Sequence, residues 1–260
     1  MKQFISPIIE TREISPGFWM KTVRTPEIAT TANPGQFVHV RVSLGPHPLL
    51  RRPFSILDVN REEETWSFLY KVVGQGTQIL SKRSKGEMLD LLGPIGTSFS
   101  IIEKPALLIA GGIGMAPLYF LAGEMKKKNI PATFIYGART ERELVLLKRL
   151  TSRADEVLPV TEDGSRGSKG NAVDTASAFL AKDYGIYACG PDPMLMALKK
   201  ELAKHGKSAQ LSLENYMACG TGACQGCVVK TESGYQRVCV DGPVFSSDEI
   251  ISFKGETQSG

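Results

Sequence analysis

The chain contains no run of eighteen or so consecutive apolar residues, so nothing in it is long enough to cross a bilayer as a single helix. Its opening, MKQFISPIIE, has one early lysine but neither an apolar h-region nor a small-residue cleavage site, so no secretory leader is expected. The cytoplasm is the expected compartment. Histidine is scarce: His39, His47 and His205 are the only three in 260 residues, and they form no ligand-like group. A Ser-His-Asp set, paired carboxylates and H-E-x-x-H are all missing, which removes the usual signs of general acid–base hydrolysis and of a zinc protease. Strong charge is missing too. The net charge is +4, and the densest basic runs, Arg51-Arg52 and Lys126 to Lys128, are short, which argues against a nucleic-acid partner. There is no internal repeat and no low-complexity tract.

Cysteine is also sparse, but four of the five stand together. Cys219, Cys224, Cys227 and Cys239 read C-x4-C-x2-C followed by one distant Cys, the thiolate spacing of a plant-type 2Fe-2S cluster. Gly220, Gly222 and Gly226 lie among them and let the backbone wrap closely around an inorganic core. Structural zinc also takes four thiolates, usually as two C-x2-C pairs, whereas Cys224 and Cys227 form the only such pair here. A disulfide framework suits this long chain poorly, with Cys189 left over.

At 260 residues, two or three units are expected. Residues 1–100 read as short alternating strands, such as Phe37 to Val42 and Trp66 to Lys71, separated by turns such as Asn33-Pro34-Gly35, and suggest a small antiparallel barrel. Residues 101–210 alternate buried strands with helices and imply a parallel doubly wound sheet. Helices are expected at Glu143 to Leu150, Ala172 to Ala181 and Pro193 to His205. Residues 211–260 are too few and too polar to hold together without a metal, so a cluster there would be structural as well as functional. A compact hairpin is expected around Gly234.

Gly111-Gly112-Ile113-Gly114 leads from a strand into a helix, where free N–H groups make a phosphate-sized anion site; a turn used only for packing has the same appearance. Cys189-Gly190-Pro191 is a second strand end on the same rim, and Cys189 also reads as a small buried hydrophobe. In the β region, Arg52-Pro53-Phe54-Ser55 offers a guanidinium and a hydroxyl on an extended segment. Gly74-Gln75-Gly76-Thr77 precedes a short helical run.

In this order the motifs resemble those of the ferredoxin reductase family of flavoproteins along nearly the whole chain to residue 210. With the cysteines and the tail Cys239-Val240-Asp241-Gly242-Pro243 added, the chain is similar to the electron-transfer subunits of class 1B dihydroorotate dehydrogenases. That resemblance implies FAD on the barrel, held by Arg52, Pro53, Phe54, Ser55, Leu69, Tyr70, Lys71, Gly76 and Thr77. It implies NAD(H) at Gly111, Gly112, Gly114, Cys189, Gly190 and Pro191, and a 2Fe-2S cluster on the four cysteines. It also implies a partner, an FMN-containing catalytic subunit, in a heterotetramer of two plus two. Strand alternation alone explains Leu69 and Tyr70 as core. Flavin and cluster subunits of bifurcating transhydrogenases and of sulfhydrogenases are similar too, and a nucleotide-binding body with a zinc docking tail is the alternative of another class. NAD against NADP stays open, because the strand after the glycine turn ends in Gly137-Ala138-Arg139-Thr140 with no acidic residue at its tip.

Overall fold

The structure is a computed structural model that describes residues 1–253 except 44 and 46, so the last seven residues of the expected third unit lie outside it. Strands β1 (Lys2–Ser15), β2 (Phe18–Arg24), β3 (Phe37–Arg41), β4 (Arg52–Asn60), β5 (Thr65–Lys71) and β6 (Met88–Ile95) close an antiparallel barrel in the order β1-β2-β5-β4-β3-β6. Alternation explains the closure. On β5, Trp66, Phe68 and Tyr70 point inward at every second position, with ring centres 5.4 and 5.8 Å apart, and Phe54 of β4 stacks 5.0 Å from Phe68. This aromatic column fills the barrel with side chains. Helices α1 (Pro26–Thr31) and α2 (Gln75–Ser81) add Ile28 and Leu80 to the same core.

The second body is a seven-stranded sheet. Its strands are β7 (Ala106–Gly111), β8 (Ala132–Ala138), β9 (Glu156–Thr161), β10 (Ser168–Lys169), β11 (Gly185–Cys189), β12 (Gln210–Ser212) and β15 (Val244–Ser246), in the order β10-β9-β8-β7-β11-β12-β15. Every residue of β7 is buried, as a central strand covered on both faces requires. Its odd and even positions divide two cores. Ala106, Leu108 and Ala110 pack with α3 (Met115–Lys127) and α4 (Leu147–Leu150); Leu107 and Ile109 pack with α5 (Ala172–Ser177) and α6 (Asp192–Lys204). That is the doubly wound arrangement.

Two expected helices are shorter than the pattern suggests. The stretch from Glu143 is not one helix, because Leu146 takes a left-handed φ of +59° and only the turn after it, α4, is α-helical. The helix from Ala172 starts as expected, with Asn171 Oδ1 accepting from the Val173 and Asp174 amides at 3.0 and 2.9 Å, but ends at Ser177.

The cysteine segment forms a hairpin of β13 (Val228–Thr231) and β14 (Gly234–Arg237), with β16 (Ile250–Ser252) on its other side. Gly234 closes the hairpin at φ +110°. β15 (between β14 and β16 in sequence) stands outside this small sheet and pairs antiparallel with β12, Leu211 opposite Phe245. The turn before it seats on the barrel: the Thr97 amide donates to the Gly242 carbonyl at 2.6 Å, and a Cβ on Gly96 would lie 2.5 Å from Pro243. Arg153 ties the first two bodies, donating through both Nη atoms to Asp58 of β4 and lying 4.6 Å over the Tyr119 ring of α3. Among the described residues no helix is long and apolar enough to cross a membrane.

Candidate functional site

A cleft of about 440 Å³ opens between the barrel, the start of α3 and the segment after β12. Arg52, Pro53, Phe54, Ser55, Leu69, Tyr70, Lys71 and Thr77 all line it. Gly76 stands just behind: a Cβ there would meet the Arg52 guanidinium at 3.0 Å, so glycine is what lets Arg52 lie against the first turn of α2. Thr77 Oγ1 ties that turn down, accepting from the Val73 and Gly74 amides at 3.0 and 3.2 Å.

Tyr70 has two environments. Its ring stacks in the barrel core, and its hydroxyl, buried and without a hydrogen-bond partner, lies at the cleft wall. Burial pushes that hydroxyl far above the usual tyrosine range, so it stays a neutral donor. An orphaned buried hydroxyl at the wall of a cleft fits a bound group with polar ring atoms. Leu69 and Tyr70 are therefore both core and lining.

A second cleft, of about 350 Å³, lies at the C-terminal ends of β7 and β8 and is lined by Gly111, Gly112, Arg139, Glu143, Glu162 and Pro191 among others. This is the rim where doubly wound sheets bind ligands. Gly112, at φ +53° with open space around it, presents bare backbone to the cleft. Gly111 is needed for close approach, since its Cβ would lie 2.6 Å from Met194 and 2.9 Å from Pro191. Gly190 and Pro191 border a smaller adjoining cleft of about 280 Å³ together with Tyr216, which also borders the first. The small cleft thus links the two large ones, sharing Pro191 with the second and Glu214, Asn215 and Tyr216 with the first. Gly114 and Cys189 line none of these clefts. A Cβ on Gly114 would lie 2.5 Å from the Cys189 carbonyl, so the pair packs α3 onto β11, with the Cys189 thiol fully buried and its pKa pushed up by burial.

Glu143 joins the two large clefts electrostatically. It takes Lys71 Nζ at 2.8 Å from the barrel side and Arg139 Nη2 at 3.0 Å from its own. Burial raises its pKa, but these two partners outweigh burial and hold the carboxyl below the usual range. Although the strand tip itself has no acidic residue, two carboxylates, Glu143 and Glu162, line the cleft.

The four cysteines are neighbours: Cys219 lies beside Cys224, Cys239 lies beside Cys227, and Cys239 also feels Cys219. Among the described residues no three His, Cys, Asp or Glu side chains converge on one metal ion. Four neighbouring thiols suit a two-iron core, which takes four cysteine ligands. Burial raises the Cys219 pKa, yet bonds from Thr221, whose amide donates to Sγ at 3.3 Å, and from Cys224 bring it down to about 6. The Arg237 guanidinium sits beside Cys239 and Cys227 and closes the turn between them and Asp241 through Nε and Nη2 at 3.0 and 3.1 Å. Gly220 and Gly222 bend the loop at φ +68° and +80°. Cys224 is exposed, Cys219 half-buried, and Cys227 and Cys239 are buried.

Comparison with known proteins agrees with this geometry. The family described as the iron-sulfur cluster binding domain of dihydroorotate dehydrogenase B matches residues 214–251, and the oxidoreductase NAD-binding domain family matches residues 108–200. A Geobacillus sp. (strain WCH70) protein named dihydroorotate dehydrogenase B (NAD(+)), electron transfer subunit, is 40% identical over 225 residues, covering 84% of this chain and 86% of its own. This chain belongs to that family of electron transfer subunits. A family member from Bacillus mycoides (strain KBAB4) is 35% identical over 253 residues, with 94% and 96% covered. The solved structure of an NADH-dependent reduced ferredoxin-NADP oxidoreductase, from work on flavin-based electron bifurcation, superposes with a TM-score of 0.84 at 30% identity, covering 95% of this chain and 90% of that one. The ferredoxin reductase in carbazole 1,9a-dioxygenase superposes with a TM-score of 0.68 at 25% identity, covering 79% and 66%. The family member is an oxidoreductase subunit with a ferredoxin reductase-like fold.

Several lining residues carry no motif. Phe37 and the segment Ser212 to Met217 line the first cleft, and Asn171 and Met194 line the second. Only the segment after β12 had a usable signal, since it follows a strand end on the ligand-binding rim.

Proposed function

We propose that this chain passes electrons between NAD(H) and a separate FMN-containing subunit that interconverts dihydroorotate and orotate in pyrimidine synthesis, one at a time on the partner's side. The observation that carries the reading is two large clefts linked through a small one between Pro191 and Tyr216, on a chain that also bears four neighbouring thiols. Bound together, the three groups supply hydride acceptance by flavin, one-electron release, and one-electron storage on a 2Fe-2S cluster.

The chain's own residues hold and orient. In this reading Arg52, with Gly76 and Thr77, takes the FAD pyrophosphate, as a guanidinium suits. Pro53, Phe54, Ser55, Leu69 and Lys71 border the flavin, and the Tyr70 hydroxyl donates to it. Gly111, Gly112, Gly190 and Pro191 receive the nicotinamide nucleotide, with Gly114 and Cys189 setting the position of that rim by packing. Cys219, Cys224, Cys227 and Cys239 ligate the irons, and the exposed Cys224 marks the side that faces the partner. No proton-transfer residue is required at the site. The chain divides into residues 1–100, 101–210 and 211–260 for flavin, nicotinamide and cluster, works in the cytoplasm, and assembles as two copies with two of the partner.

The test is reconstitution with the catalytic dehydrogenase subunit under anaerobic conditions. Dihydroorotate-dependent NAD reduction, absent with either subunit alone, is the expected result; no NAD-linked turnover overturns the proposal. A second reading, a subunit of an NADH-dependent ferredoxin-NADP oxidoreductase, is favoured by the superposition at TM-score 0.84. In that case ferredoxin and NADP would support turnover and dihydroorotate would not.

A further inference from the structure

His39 belongs to none of the motifs, yet it stands between the first cleft and the cysteine loop. On β3 its neighbours Val38 and Val40 point into the barrel, so His39 points out, on the same face as Phe37. Phe37, and Pro53, which is opposite His39 in register, both line the first cleft. On its other side the imidazole meets the cysteine loop: a Cβ on Gly220 would lie 2.5 Å from Nδ1. The ring is completely buried, and neither nitrogen has a hydrogen bond of good geometry, although the backbones of Cys219 and Arg51 both bear on it. Arg51 is itself fixed, donating from Nη2 to Asp90 at 2.7 Å and from Nη1 to the His39 carbonyl at 3.4 Å. A buried imidazole with unused nitrogens in such a tight place needs a partner, and the backbone of a cysteine ligand is beside it.

We propose that His39 is a positioning residue: its ring N–H donates to the backbone carbonyl of Cys219, fastening the Cys219–Gly220 turn to the flavin-bearing strand pair and fixing where the cluster stands relative to the first cleft. The inference rests on the cluster reading above. Outer-shell partners of this kind orient ligands and tune the potential of the group they hold. Gly220 is glycine for two reasons, its φ of +68° and the imidazole that occupies the place of its Cβ.

The test uses the complete chain with FAD and cluster, as wild type, His39→Leu, His39→Asn and His39→Gln. In the leucine variant FAD content and the rate of flavin reduction by NADH are expected to stay at wild-type values. Its cluster midpoint potential and EPR spectrum should shift, amide exchange in the Cys219–Gly220 turn should quicken, and cluster reduction should slow by about tenfold, the scale of outer-shell effects. At least one amide variant should restore the potential and the spectrum. A wild-type potential and spectrum in the leucine variant, or failure of both amides to restore them, overturns the proposal. Should leucine prevent folding, the amide variants decide: wild-type spectra in either support the proposal, and shifted spectra in both overturn it. Wild-type protein without acid-labile sulfide would instead overturn the cluster reading, and this inference with it.

Discussion

Tyr70 and Lys21 are both buried polar residues of the barrel, and they differ in what satisfies them. The Tyr70 hydroxyl has no partner in the chain, so its replacement should harm only the ligand-bound state. Tyr70→Phe is expected to leave the melting temperature of the FAD-free protein unchanged or slightly higher, and to weaken FAD binding by about 1 kcal/mol, the value of one neutral hydrogen bond. Calorimetric titration of both proteins checks it. Lys21, by contrast, is held by Thr11 Oγ1 and the Arg83 carbonyl at 2.6 Å each, yet burial lowers its pKa to about 8. In that state the folded protein binds fewer protons than the unfolded one between about pH 8 and the ordinary lysine value of 10.5. The penalty of burying the charge is therefore full below pH 8 and lifts as pH rises through that window. Urea melts of wild type against Lys21→Met should show the wild type gaining relative stability from pH 8 to 10.5, with a flat difference below. A difference falling over the same window would contradict the sign.

Among the elements, β5 and the irregular turn after β8 are coupled by Glu143, which no spacing rule singles out. Its carboxylate holds Lys71 and Arg139 together, keeping the guanidinium of Arg139 occupied at the mouth of the second cleft. Glu143→Gln frees Arg139 to meet a ribose phosphate. Because a hydrogen bond to a charged group is worth about 1.5 kcal/mol, the ratio of kcat/KM for NADPH over NADH should rise by about tenfold. Steady-state kinetics with both nucleotides measures it. The same region shows what the sequence carries legibly. Strand alternation at Trp66, Phe68 and Tyr70 and the all-apolar run Ala106 to Ala110 foretold barrel and sheet, because both patterns follow from local geometry. The cysteine spacing pointed to a cluster site, and the thiols are neighbours in the fold because three of the four share one loop. What stayed hidden is what the tertiary fold brings together. Leu146 interrupts a helix-like pattern through a left-handed φ, and Glu143 and Glu162, far apart in sequence, line the same cleft. His39 reads as an ordinary strand residue until the cysteine loop folds over it.

At the scale of the whole molecule, the C-terminal segment is held in two places besides its own small sheet. β15 completes the edge of the nucleotide sheet, and the turn at Gly242 and Pro243 seats on the barrel at Thr97 and Gly96. A chain ended after residue 210 would lose all of β12 but its first residue together with β15, leave β11 at the edge of the sheet, and take Leu211 and Phe245 out of the core that Leu107 shares. Such a truncation is expected to lose solubility or to melt well below the intact protein, measurable by light scattering and thermal denaturation. Equal solubility and melting would show that the segment is an independent appendage.

The close seat of that turn has a bearing on grafting. A Cβ at Gly35 would lie 2.8 Å from Val244, and one at Gly96 would lie 2.6 Å from the Gly242 carbonyl, so barrel and tail are cut to fit one another at backbone contact. An iron-carrying tail borrowed from a related protein would have to arrive together with the glycine-lined notch that receives it. A chimera joined after β12 alone would leave donor and acceptor groups out of line, however intact each half.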